Sequence, residues 1–178
     1  MIESCYWKED LLVHEKKLKP IKNPRRWTEK SQVNFEKEIC ISFFLIRKLL
    51  DEKSKLSSQS TEHSAHIYRC PCTVSNVTYR NYWKIDEIYD LDNEEKVYKK
   101  IRFISNQFIH GGAIYAYRNE DRNWGGLYTC SDFERAKYIY RIPTEEIRKI
   151  FQIVGNDYPH SMRMEFCPKK NDYVITTN

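Results

Sequence analysis

Arg102, Asn106 and His110 follow one another at four-residue intervals and carry the side-chain types of phosphate chemistry. Histidine serves as general acid or base, and arginine stabilises charge developing on a phosphate. Four-residue spacing stacks all three on one stripe of a helix. Asp92 to Gly112 predicts that helix. Asp92 can cap it and Glu95 can complete a capping box. Val97, Ile101, Ile104 and Phe108 form one apolar face. Gly111 and Gly112 offer the left-handed conformation that ends helices. The polar stripe then lies opposite the core, facing solvent, a partner or a ligand. The plainer reading is a solvated face, with His110 near a helix C-terminus, where cations are favoured.

Ser105-Asn106-Gln107-Phe108-Ile109-His110 resembles the HEPN-type motif, in which an Arg, often followed by Asn, precedes a His by about five positions on one helix. Asn106 and His110 match, and Ser105 stands at the Arg position. Arg102 is the nearby substitute, ~12 Å from His110 along a helix axis. The resemblance implies a dimeric, metal-independent RNase of toxin or antiviral type, with His110, Asn106 and Arg102 as its catalytic residues.

Two further groups suggest nucleic acid. Residues 14–30 hold seven basic residues against Glu15 and Glu29, whereas the rest of the chain carries 23 of each sign. The net charge of +5 is therefore one local patch. Lys22, Arg25, Arg26 and Trp27 in that patch suit contact with a phosphate backbone. The competing reading is a solvated linker that Trp27 docks onto the core. Tyr79, Arg80, Tyr82, Trp83 and Lys84 interleave rings with cations, as in proteins that stack bases and neutralise phosphates. Rings that bury their bodies and leave polar tips outside give the same pattern. Trp124, beside two glycines, is either a loop-packing residue or an exposed contact.

His63, His66, Cys70 and Cys72 are zinc-ligand types at a non-standard spacing, and no metal or other cofactor is assigned. Cys130 could pair with His110 or His160, although a reactive thiol needs a lowered pKa. Asp51-Glu52-Lys53 and Glu94-Glu95-Lys96 match the acid-x-lysine fragment of some nucleases. Both fall on predicted helices and read as surface charge. Phosphate-binding glycine loops, dinucleotide fingerprints, H-E-x-x-H and G-x-S-x-G are absent from the sequence.

The elements that must position these residues predict a single α+β domain over 1–178, built as an N-terminal helical hairpin with a long buried helix, then short antiparallel strands and hairpins with two inserted helices. Tyr6 to Lys19 is a first helix, ended by Pro20 and Pro24. A second starts at Thr28 or Ser31 and runs to about Lys55. Its middle, EICISFFLIRKLL, is apolar nearly all round, so it is wrapped by other elements or half covered by a dimer partner. Residues 56–64 read as an exposed loop, and 77–89 as mixed strand and turn. Tyr68, Cys70, Cys72 and Val74 alternate as in a strand. Residues 113–118 and 127–130 form a hairpin, 137–142 a strand, 144–155 a helix capped by Thr144, and 162–167 with 173–177 a terminal hairpin.

Aromatic content of 14% argues against disorder. No apolar run approaches ~18 residues and no signal peptide is visible, so the expected location is the cytoplasm, off the membrane, with six reduced cysteines. Two functions follow as expectations. One is a nucleic-acid-directed protein, RNA-binding with RNA cleavage as its extension. The alternative is a non-catalytic interaction subunit, forming a homodimer or joining a heteromeric protein partner.

Overall fold

The computed structural model describes residues 3–19 and 27–178. The fold is α+β, opening on two helices, α1 (Ser4–Lys17) and α2 (Glu29–Asp51). Thr28 caps α2 by accepting from the Ser31 amide at 3.2 Å. His14 ties the pair together, contacting the Ser42 hydroxyl at 2.7 Å and Glu38 at 2.8 Å. α2 buries Phe35, Ile39, Phe43, Ile46 and Leu49, while Val33, Ile41 and Phe44 stay exposed on its other side. The helix is thus half covered.

A short helix, α3 (Ser58–Glu62), replaces the expected exposed loop, and Leu56 and Ser60 are buried. Next come β1 (Ser64–Pro71), a stretch of turns holding the four-residue helix α4 (Ile85–Ile88), and β2 (Glu95–Lys100). The remaining elements are α5 (Ile101–Ile109), β3 (Gly111–Arg118), β4 (Trp124–Ser131), β5 (Tyr138–Pro143), α6 (Thr144–Gly155), β6 (Met162–Cys167) and β7 (Asp172–Thr177).

β2, β1, β5, β4 and β3 form, in that order, one antiparallel sheet. One face, with Ala65, Ile67, Leu127, Tyr140 and Ile142, packs on the helices. Phe43 of α2 stacks on Phe108 of α5 at 4.3 Å and meets Phe151 of α6 edge-on at 5.6 Å. The other face carries Cys70, Cys130 and Ile139, covered by Val77, Ile88 and Tyr89 from the turns between β1 and β2. α1 packs on α6, where Arg148 and Gln152 converge on the buried Glu15, Arg148 Nη2 at 2.6 Å. β6 and β7 make a separate two-stranded sheet.

The expected helix over Asp92–Gly112 is a strand, a shorter helix and the start of another strand. Residues 95–100 pair with β1, Val97 opposite Ile67, so helix begins only at Ile101. The capping box does not form. Lys96, Lys99 and Lys100 lie on this edge strand, where charge discourages pairing with other chains. Gly111 does not end the helix in a left-handed turn. It belongs to β3, where a Cβ would sit 2.2 Å from the Gln107 carbonyl oxygen and 2.6 Å from that of Cys130. Pro143, not Thr144, precedes α6, and the Thr144 hydroxyl donates to the Trp124 carbonyl. Among the described residues no helix is long and apolar enough to cross a membrane.

Candidate nucleic-acid interface

The stripe Arg102–Asn106–His110 is split by the packing of α5. Ile101, Ile104 and Phe108 bury its inner side, and Gln107 locks it to β4 by accepting from the Ser131 amide at 2.9 Å. Arg102 reaches across to α2, donating to Asp51 at 2.8 Å and to the Leu50 carbonyl at 2.6 Å. Asn106 accepts from Arg47 Nε at 3.0 Å, and Arg47 also pairs with Asp51. These four side chains form a strap between two helices. His110 alone faces outward, at the C-terminal end of α5, with no side-chain hydrogen bond among the described residues. Partial burial pushes the Asp51 carboxyl up, but the hydrogen bonds from Arg102 and Arg47 outweigh this and hold its pKa below the ordinary value. A second copy or a different cation would have to complete a catalytic set around His110.

His110 nevertheless leads to a cavity. Its carbonyl accepts from the Asp132 amide at 3.0 Å, and Gly112, two residues on, lines a cleft of about 230 Å³. Tyr79 and Tyr82 form one side of that cleft, Tyr89 and Cys130 also line it, and Asp132 with Arg135 complete it. The turn that carries Tyr79 is fixed locally. Asn81 accepts from the Thr78 amide and hydroxyl and donates to the Asn76 carbonyl, and the Tyr82 amide closes onto the Thr78 carbonyl at 3.0 Å. This presents Tyr79, 82% exposed, with its ring centre 5.6 Å from that of Tyr82. Tyr82 in turn meets Trp83 edge-on at 5.6 Å. Arg80, beside Tyr79, is exposed and makes no side-chain pair among the described residues. Lys84 is paired with Glu87 at 2.8 Å.

The inner wall of the cleft is neutral. The Tyr89 hydroxyl donates to the Arg135 carbonyl at 2.7 Å and lies 3.6 Å from the Cys130 sulfur. Burial pushes both the Tyr89 phenol and the Cys130 thiol above their ordinary values. A raised pKa disfavours the thiolate that a nucleophile needs. Cys130 pairs with Tyr89, not with a histidine.

Of the basic segment, Lys22, Arg25 and Arg26 lie outside the described residues. Trp27 docks onto the β3–β4 loop. Its ring centre is 4.1 Å from that of Trp124, which stacks on Phe35, and its indole N–H donates to the Arg122 carbonyl at 2.8 Å. Trp27 and Trp124 therefore fill packing roles. A larger cavity of about 400 Å³ lies beside them, lined by Lys17, Lys19 and Glu38 among others, with Lys17 and Glu38 paired at 2.8 Å.

The other motifs are taken up by structure. Cys70 is fully buried, which raises its thiol pKa to about 11, and the Cys72 sulfur bonds to the Val74 carbonyl. His66 sits 3.5 Å from Glu146. Among the described residues no three His, Cys, Asp or Glu side chains gather as metal ligands. Glu94-Glu95-Lys96 lies at the start of a strand, not on a helix, yet Glu94 binds Arg141 at 2.5 Å and Glu95 binds Arg69 at 2.6 Å. Ser42, His14 and Glu38 have the side-chain types of a hydrolase triad. Ser42 is fully buried, however, and its hydroxyl donates to the Glu38 carbonyl. It is a helix–helix fastener.

Tyr89, Gly112, Asp132 and Arg135 were not visible as site residues in the sequence, and Cys130 was weighed only as a partner for a histidine. They come from separate segments with no shared spacing, and only the cover over the second face of the sheet brings them together. No family model, curated protein or solved structure matches this chain.

Proposed function

We propose that the protein binds single-stranded nucleic acid, RNA foremost, in the cytoplasm, by stacking one base against Tyr79 and Tyr82 at the mouth of the cleft. The observation that carries this reading is the pair of rings over an open, base-sized space, with the unpaired Arg80 beside them for a phosphate. Aromatic stacking of this kind contributes about 1–3 kcal/mol per base and tolerates sequence. Two tyrosines that only packed a core would leave neither an exposed ring nor a space between the ring and the sheet.

Cleavage is the finer form of the proposal. It rests on His110, exposed two residues before Gly112 of the cleft wall, and on the HEPN-like spacing of Asn106, whose side-chain oxygen accepts from Arg47. His110 would act as general acid or base on a ribose 2′-hydroxyl or leaving oxygen.

Binding of a labelled single-stranded RNA pool, followed by anisotropy, tests the reading. Affinity should fall steeply with salt. Tyr79→Ala and Tyr82→Ala should each lose roughly 5- to 150-fold. Absence of retention at low salt removes the proposal. Loss of product with His110→Ala tests cleavage separately.

A second reading has its own support. Met162, Met164, Phe166 and Tyr173 are about half exposed on one face of the β6–β7 hairpin, and Ile41 and Phe44 on the outer side of α2. Exposed apolar patches of this sort mark protein contacts. They support an interaction subunit, with a second copy or another protein over those faces.

A further inference from the structure

Tyrosine rings stack with any base, so selection must come from polar groups at the cleft. Two charged side chains line it, Asp132 and Arg135, joined by one contact of 3.1 Å between Arg135 Nη1 and Asp132 Oδ1. That single contact leaves each Asp132 oxygen with a lone pair to accept and leaves further Arg135 guanidinium N–H groups to donate. The chain therefore offers an acceptor and a donor side by side, next to a stacking platform. The two charged groups sit one helical turn apart in the turn after β4, which the Glu134 and Arg135 amides close by donating to the Ser131 carbonyl at 3.0 Å. The Asp132 amide is bound to the His110 carbonyl, which ties this turn to the start of β3.

Resting on the RNA-binding reading above, we infer that this cleft selects guanine. Guanine's Watson–Crick edge presents two adjacent donors, N1–H and N2–H, beside one acceptor, O6. An ionised carboxylate is acceptor-only and takes both N–H groups with its two oxygens, and a guanidinium is donor-only and serves O6. Adenine and cytosine each present one exocyclic amine beside ring acceptors, and uracil presents one N–H between two carbonyls. None of the three satisfies both oxygens of the carboxylate and the guanidinium on one edge. The wall behind the pair is Tyr89 and Cys130, neutral groups bonded to one another and to the Arg135 carbonyl, which do not compete for the base.

Equilibrium binding to short uridine oligomers with one central G, A, C or inosine tests the inference. The guanine oligomer should bind tighter than the others by roughly tenfold or more, the gain of one good bidentate pair. Inosine, which lacks the N2 amine, should fall between guanine and adenine. Asp132→Asn should erase the guanine preference, read as the ratio of guanine-oligomer to all-uridine affinity in the same variant. Tyr82→Ala should weaken all oligomers alike. Circular dichroism of each variant confirms that it folds, and Arg135→Gln provides a second test on the other half of the pair. Equal affinity for all oligomers, or a preference for adenine or cytosine, overturns the guanine assignment and leaves RNA binding standing. No binding of any oligomer overturns both.

Discussion

Arg102 donates to Asp51 at 2.8 Å across the contact between α5 and α2, so the arginine is engaged in helix packing. With its second branch on the Leu50 carbonyl, the guanidinium closes the C-terminal end of α2. Arg102→Ala should therefore lower stability by about 0.5–1.5 kcal/mol, the range for exposed ion pairs and single hydrogen bonds, and leave RNA affinity unchanged. Urea unfolding and anisotropy on the same variant check both halves.

The same strap predicts a pH response. Asp51 has a lower pKa folded than unfolded, because Arg102 and Arg47 hydrogen-bond to its charged form. Its contribution is complete above the ordinary carboxylate range and disappears as pH falls through the lower folded value. Asp51→Asn should flatten that loss. Urea midpoints measured against pH should show wild type and variant converging in acid. Parallel curves would place the acid sensitivity elsewhere.

The long helices, the β3–β4 and β6–β7 hairpins and α6 were legible because their apolar periods and turn residues agree. Residues 95–100 were not. Val97 lies four residues before Ile101 and happens to continue the apolar stripe of α5, so one helix appeared to run through a strand and a helix. What decides the matter is tertiary: the edge of β1 needs a partner, and Val97 faces Ile67 there. Gly111 looked like a helix stop for a similar reason, whereas its small size serves the close approach of the Gln107 and Cys130 carbonyls. In the site, Tyr79, Arg80 and Tyr82 were legible as a cluster. Asp132 and Arg135 were not, because no short-range pattern announces that a distant turn will close over two tyrosines.

Phe43 sits where α2, α5 and α6 meet, fully buried and stacked on Phe108. Phe43→Ala should cost about 3–5 kcal/mol through lost burial and a residual cavity. Thermal unfolding should show a midpoint roughly 6–20 °C lower, at ~2–4 °C per kcal/mol for a chain of this size. Binding measured well below that midpoint should be intact, which separates the core from the cleft.

The β6–β7 hairpin bears on the interaction reading. Phe166 and Tyr173 meet edge-on at 5.4 Å on a face whose side chains stay about half exposed, and isolated two-stranded sheets are marginal in water. Met164→Glu with Phe166→Glu should convert a self-associating protein to monomer in sedimentation analysis without altering RNA affinity. A wild-type protein already monomeric at high concentration, with no protein partner recovered, would rule out that use of the hairpin.

Ultraviolet cross-linking of a bound single-stranded RNA, with the attached peptides located by mass spectrometry, tests base stacking in the cleft most directly. The account predicts cross-links at Tyr79 or Tyr82 and in the segment holding Asp132 and Arg135, lost in Tyr79→Ala with Tyr82→Ala. Cross-links confined to the β6–β7 hairpin or the outer side of α2, or binding that survives loss of both tyrosines, would contradict it.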